Sequence, residues 1–318
     1  MSDTEKPLVT FALFAYNQEE FIRDAVLGAF AQSYDSLEII LSDDCSSDNT
    51  FNIMEDLFFS YSGRHNIKLL RNNVNIGLIS HVNKVIGCSS GELIVLAAGD
   101  DISLSNRVNR IVECYVGNKK PMLIHSRAIE IDRSDKVLID KTIDYSIFKK
   151  INYKNIASSY SVYLGASGAC SREMFNKYGI ISFLGAYEDL IFGFRAIIED
   201  KIFFIDDDLL YYRVGVGISR GRAGTLKGEI SNRKRLVKVH LDVVRQRIMD
   251  FDRSGLDLYY IRDALVKELI IKELINFFYQ REWRKLLSVN CGFFTVIKNI
   301  LKEILLVISS VVNSRRNL

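Results

Sequence analysis

The sequence predicts an α/β fold: a mixed, mainly parallel sheet flanked by helices, with a C-terminal helical extension. Three observations lead there. Apolar runs of buried-strand length alternate with helical periodicity as far as residue 101. Paired carboxylates follow two of those strands. Beyond about residue 225 the pattern changes to long helices of mixed charge.

LVTFALFA (8–15) is a continuous apolar strand, after which Asn17 is expected to cap a helix with Glu20 as its capping-box partner. Phe21, Ile22, Ala25, Val26 and Phe30 give that helix one apolar face. LEIILS (37–42) is the next strand and 48–60 the next helix; IKLLR (67–71) and 77–87 repeat the pair. ELIVLAA (92–98) runs into Gly99-Asp100-Asp101, and Ser103 or Ser105 is expected to cap the helix that follows. After Pro121, MLIHS, AIEID and KVLID suggest an added antiparallel portion. Helices are expected from Ser171 and near Glu188, and KIFFID and LLYYRV as the last strands. This divides the chain into an α/β unit over 1–225 and a basic helical region over 226–318.

With 48% hydrophobic residues and two prolines, the chain is ordered and large enough for a substantial core. Its five cysteines form no CxxC pair and read as thiols of a reducing compartment. The four histidines lack metal-ligand spacing, so any metal here is held by carboxylates, which favours Mn²⁺ or Mg²⁺. The opening residues lack a basic stretch followed by a long apolar core, and no signal peptide is expected. Residues 227–318 hold 18 Lys and Arg against 10 acidic residues, net +8, and leave −5 for the rest. No GxGxxG follows the first strand and no GxxxxGK occurs, which argues against a dehydrogenase or a P-loop enzyme. The first strand also lacks the glycine-rich basic loop of a nucleotidyltransferase, and no docking motif supports nucleic-acid binding.

Asp43-Asp44 and Asp100-Asp101 each follow a buried strand, and Glu188-Asp189 opens a helix after two glycine-containing segments. Adjacent carboxylates repel, so a cation, a hydrogen-bonded ligand or a shifted pKa is expected beside them. A departing diphosphate has such a need for a cation, because charge develops on its oxygen.

YN at 16–17, SDDCSSDNT at 42–50, N-x-G at 75–77, SGE at 90–92 and GDD at 99–101 occur in this order. Together they resemble the family-2 glycosyltransferases of the Rossmann-like GT-A fold, over roughly residues 7–220. The resemblance implies an inverting, metal-dependent transfer of sugar from a UDP- or dTDP-linked donor to a glycan or lipid-linked acceptor, in bacterial surface polysaccharide assembly. Tyr16, Asn17, Asn75 and Gly77 would line the nucleoside pocket, Asp44 would accept from the base imide, and Asp43 would support its loop. Asp100 would touch ribose or metal and Asp101 would ligate Mn²⁺ or Mg²⁺. Asp189, beside Glu188, would be the general base that takes the acceptor proton. Arg213, in YYRV, would meet the diphosphate together with Arg220 and Arg222 of the glycine-rich segment 215–224. The chain departs from the pattern at Gly215 and Gly217, where relatives often carry a histidine, and at Ala98, Cys45 and Ser105.

Residues 292–312 form an amphipathic helix whose central Lys298, Lys302 and Glu303 oppose a membrane span. At helical spacing these three share a polar face with Thr295, Asn299, Ser309 and Ser310. The helix either lies on the inner face of the cytoplasmic membrane or packs on the chain or on a second subunit of a homodimer. The competing reading of the whole chain is a non-catalytic nucleotide-sugar-binding or membrane scaffold protein.

Overall fold

In the computed structural model the described residues are 6–140, 143–216, 225–288 and 293–316. The expected alternation is present as β1 (Val9–Ala15), α1 (Ile22–Phe30), β2 (Leu37–Asp43), α2 (Thr50–Ser60), β3 (Asn66–Arg71), α3 (Leu78–Cys88) and β4 (Leu93–Ala98). β5 (Ile102–Ser103), α4 (Arg107–Gly117), β6 (Leu123–Ile131), α5 (Tyr145–Lys149), β7 (Ala169–Ser171), α6 (Arg172–Tyr178), α7 (Glu188–Ile198) and β8 (Ile202–Arg213) follow. The tail consists of α8 (Leu226–Ser254), α9 (Tyr259–Gln280), α10 (Trp283–Ser288) and α11 (Phe293–Arg316).

The strands make one sheet in the order β3-β2-β1-β4-β7-β6-β8-β5. β1 pairs in parallel with β2 and β4, as β2 does with β3, whereas β7 runs antiparallel to both of its neighbours. Side chains alternate across the pleat. Phe11, Leu13, Ile39, Leu41 and Val95 pack under α1, α2 and α4, whereas Ala12, Ile40, Ile94 and Leu96 share a second core with α3, α6 and α7. Burial on both faces is why these strands read as unbroken apolar runs.

Only Gly99–Asp101 separate β4, fourth in the sheet, from β5 at its edge. The sheet therefore curls until β5 meets α1, so closely that a Cβ on Gly28 would lie 3.0 Å from the Ser103 carbonyl oxygen. The diaspartate turn sits at this closure.

At the start of α8 the Thr225 hydroxyl accepts from the Gly228 N–H. Val239, Val243 and Phe251 of α8, with Ile261 and Leu265 of α9, complete the core beneath α7. A smaller cluster around Leu274, Leu286 and Val296 joins α9, α10 and α11.

Several local expectations are corrected. Asn17 does not cap α1, which starts at Ile22 with no side-chain cap. Its Oδ1 accepts from the Ser47 N–H at 2.9 Å instead, and Glu20 pairs with Arg133. Neither Ser103 nor Ser105 caps α4: Ser103 lies in β5, and the N-cap position is Asn106. KVLID makes no strand beyond one bridge of Val137 to Ile131, because Asp132 Oδ1 accepts from the Ser134 and Lys136 N–H groups and closes a turn. The antiparallel pairing comes from β7 and β5, and KIFFID and LLYYRV are one irregular strand, β8.

Candidate active site

The carboxyl ends of β1, β2 and β4 meet where the strand order reverses, the place at which open α/β sheets bind ligands. Tyr16, just past β1, is 48% exposed. Asn17 adopts a left-handed conformation (φ 52°) that asparagine tolerates. Its N–H donates to the Ser46 hydroxyl and its side chain holds Ser47, fastening the β1 and β2 loops together.

The two carboxylates ending β2 are engaged by local donors. Asp43 is fully buried and accepts from the Ser46 N–H and hydroxyl, with Arg71 at 3.6 Å. Asp44 Oδ1 accepts from Asn72 (2.7 Å) and the Ile76 N–H (3.0 Å), and its Oδ2 from the Gly77 N–H (3.0 Å). Asn75 Oδ1 also accepts from the Gly77 N–H. Gly77 has φ 80°, a conformation that only glycine takes without strain. A carboxylate has about four acceptor sites, so Asp44 retains one, on Oδ2. Between the two loops, Cys45 is left-handed (φ 60°), a conformation that glycine adopts more readily than a residue with a Cβ.

The β4 end differs. Asp100 and Asp101 are both buried, and burial raises both carboxyl pKa values, Asp101 further through the charge of Asp100. Asp101 Oδ1 accepts from the Arg213 N–H at 2.8 Å. The Arg213 guanidinium donates to the carbonyls of Asp100 (3.0 Å) and Asp132 (2.9 Å), pairs with Asp135 (2.6 Å) and lies 4.4 Å over the Phe21 ring. It therefore clamps the 132–135 turn onto the diaspartate turn. Beneath them, the buried Arg107 donates to the Leu96 and Ala166 carbonyls, and desolvation lowers its pKa to about 10.

Asp100 and Asp101 suit a hard divalent cation, since two crowded carboxylates with raised pKa values gain most from an added positive charge. No group of three or more His, Cys, Asp or Glu side chains among the described residues is gathered for a metal.

Glu188 and Asp189 open α7. Asp189 Oδ1 accepts from the Leu190 N–H (2.7 Å), while Glu188 Oε2 and the Tyr163 hydroxyl are buried without a partner. Burial raises both carboxyl pKa values, and the Asp189 charge raises that of Glu188 further. The turn at 165–167 joins this pair to the diaspartate side: Ala166 carries Arg107, and a Cβ on Gly165 would sit 3.2 Å from the Asp189 Cβ. Behind α7, the buried Arg247 of α8 donates to the carbonyls of Leu190, Ile156 and Ser159, and its charge favours ionised Asp189.

The structure thus places Tyr16, Asn17, Asp43, Asp44, Asn75 and Gly77 around one loop cluster, and Asp100, Asp101 and Arg213 around a second. Glu188 and Asp189 lie beyond the 165–167 turn. Arg220 and Arg222 lie outside the described residues. Sequence reasoning passed over four residues. Gln18 accepts from the Tyr16 N–H and hydrogen-bonds Asp100; the others are Tyr163, Arg107 and Arg247. The two arginines left a trace, because each sits on an apolar helical stripe: Arg107 with Ile111 and Tyr115, Arg247 with Val243 and Phe251.

A family model described as Glycosyl transferase family 2 matches residues 10–179. An uncharacterized glycosyltransferase of Haemophilus influenzae is 34% identical over 106 residues, 33% of this chain and 32% of its own length. The Escherichia coli UDP-Glc:alpha-D-GlcNAc-diphosphoundecaprenol beta-1,3-glucosyltransferase WfgD is 32% identical over 112 residues, 35% of this chain and 42% of its own. The matches thus span about a third to two fifths of these curated relatives. The solved mannosyltransferase PcManGT of Pyrobaculum calidifontis, in complex with GDP-Man and Mn²⁺, shares the fold. Its TM-score is 0.58 at 15% identity, covering 98% of this chain and 85% of that one.

Proposed function

The chain belongs to glycosyl transferase family 2, and on that premise we propose that it moves a sugar from a UDP- or dTDP-linked donor to a glycan or lipid-linked acceptor with inversion. One observation carries the reading: two buried acidic pairs with raised pKa values, Asp100-Asp101 and Glu188-Asp189, lie on either side of the 165–167 turn.

The first loop cluster takes the nucleoside. The exposed Tyr16 ring stacks on the base, and the remaining acceptor site on Asp44 Oδ2 receives a pyrimidine imide N–H. Asp43, Asn17, Asn75 and Gly77 shape this loop around Asp44. Asp100 and Asp101 would hold Mn²⁺ or Mg²⁺, which would supply positive charge to stabilise the negative charge developing on the diphosphate. Arg213 acts here as the clamp that fixes these carboxylates, because its guanidinium is already engaged. Arg220 is assigned to the diphosphate on its sequence position alone.

Asp189 receives the proton of the acceptor hydroxyl as its oxygen bonds to the anomeric carbon and the bond from that carbon to the diphosphate oxygen breaks. The products are an inverted glycoside and a nucleoside diphosphate. Glu188, with the more strongly raised pKa, keeps its proton and so spares Asp189 a second adjacent charge. The WfgD name specifies an undecaprenol-linked acceptor for that relative. An acceptor of this kind would place the present chain at the inner face of the cytoplasmic membrane, in surface polysaccharide assembly.

Calorimetry with UDP, dTDP and GDP, with and without Mn²⁺, on wild type and Asp101→Ala tests the donor site. Metal-dependent binding of one diphosphate, lost in the variant, is expected. A folded protein that binds none of the three would instead be the non-catalytic scaffold.

A further inference from the structure

α11 has two apolar stripes, and the described residues cover only one. Val296, Ile300, Glu303 and Val307 follow one another at spacings of four, three and four residues and face α8 and α9; the two valines and Glu303 are less than a tenth exposed. Glu303 accepts from Arg233 of α8 at 2.8 and 2.5 Å and from the Tyr279 hydroxyl of α9 at 2.7 Å. An ion pair this buried discriminates sharply between rotations of the helix, since turning α11 away would leave a charge unpaired.

With rotation fixed in this way, the adjoining stripe faces outward. Ile297, Leu301, Ile304, Leu305 and Ile308 are 39%, 54%, 38%, 65% and 52% exposed. Lys298 and Lys302, both exposed, follow immediately around the helix. The sequence expectation grouped Glu303 with these lysines, and its inward turn corrects that grouping. Among the described side chains of α11, the exposed ones are apolar, cationic or, at Thr295 and Ser309, neutral polar, with no acidic member. No helix among the described residues is long and apolar enough to cross a membrane.

We propose that this stripe is a docking surface for an anionic phospholipid bilayer, on which α11 lies flat with its leucines and isoleucines among the acyl chains and its lysines at the headgroups. The charge decides the occupant. A second copy packed antiparallel about a twofold axis would set the lysine row against its own like charges, and a parallel one would leave the row without an acidic partner on α11, whereas anionic headgroups neutralise it. This deepens the membrane placement proposed above and rests on it, but not on the transfer chemistry.

The test is co-sedimentation of the full chain with vesicles of phosphatidylcholine alone or mixed with phosphatidylglycerol. Wild type should pellet with the mixed vesicles, and less so in 1 M salt. The double variant Leu301→Ser/Leu305→Ser should bind tenfold or more weakly, and Lys298→Gln/Lys302→Gln about tenfold more weakly. Both variants should keep wild-type melting temperature and UDP affinity, which separates failure of this surface from failure of the donor site. Wild-type binding that is absent, indifferent to phosphatidylglycerol or unchanged in both variants overturns the proposal. So does a wild-type dimer in light scattering that the leucine variant dissociates without any vesicle binding.

Discussion

The β2 and β4 ends of the sheet carry the same dipeptide, Asp-Asp, in opposite physical states. At Asp43-Asp44 the donors of Ser46, Asn72, Ile76 and Gly77 meet the carboxylates, and two loops are built around them. At Asp100-Asp101 burial and mutual repulsion exceed what Gln18, Arg213 and Arg107 supply, and both pKa values rise. The contrast separates a carboxylate pair met by local donors from one whose burial the local donors do not offset. Both are buried aspartates; the donors around them make the difference.

Changes on the uncommitted side should have the largest effects on activity and little on folding. Asp189→Asn should lower turnover by about 10²–10⁴-fold, the usual contribution of a positioned base, with the melting temperature held. A matching collapse in melting temperature would show that Asp189 is architecture, as Asp44 is.

The pH dependence should sharpen the same point. The Asp189 carboxyl is pushed up to about 6, so turnover should fall as pH drops through that region and the base becomes protonated. Arg247→Gln should move this limb to higher pH because a cation favouring ionised Asp189 is lost, whereas Arg247→Lys should leave it near wild type. A limb that stays put in the glutamine variant would remove Arg247 from the electrostatics of the site.

Stability should move in opposite directions at the two strand ends. Asp44→Asn turns an amide donor toward backbone N–H groups and should cost about 1–3 kcal/mol, a drop of several degrees. Asp101→Asn without metal should raise the melting temperature. The folded pKa of Asp101 lies above its unfolded value, so its contribution is favourable below the unfolded pKa and is lost as pH rises through the folded one. The advantage of the variant should therefore grow with pH and shrink when Mn²⁺ is added. An advantage independent of pH would mean that charge crowding is not its source.

The smallest effect should come from the loop between Asp44 and Ser46. Cys45→Gly relieves a left-handed residue and should add about 1 kcal/mol, a rise of a few degrees by thermal melt. No rise would show that the loop already tolerates this conformation without strain.

Much of this was legible in the chain. Both-face burial made β1, β2 and β4 readable as apolar runs, and the ordered short motifs pointed to the loop cluster. Asn17 was misplaced as a cap because its side chain bonds across 30 residues of sequence to Ser47, and local spacing is blind to that. Glu303 was placed outside because a charged residue among lysines looks solvated until Arg233, 70 residues earlier, is brought beside it. Arg213 looked like a free cation, and only the fold reveals the carbonyls that hold it. Long-range polar pairing was the recurrent gap.

The position of Arg247 has a consequence for the order in which the protein is made. Asp44, Asp101 and Asp189 all leave the ribosome before the guanidinium that braces α7 from behind. A nascent chain can thus assemble the loops around Asp44 while Asp189 is still unbraced, and α11, with its outward apolar stripe, emerges later still. Translation itself delays a fully braced enzyme until the segment next to the proposed docking helix has been synthesised.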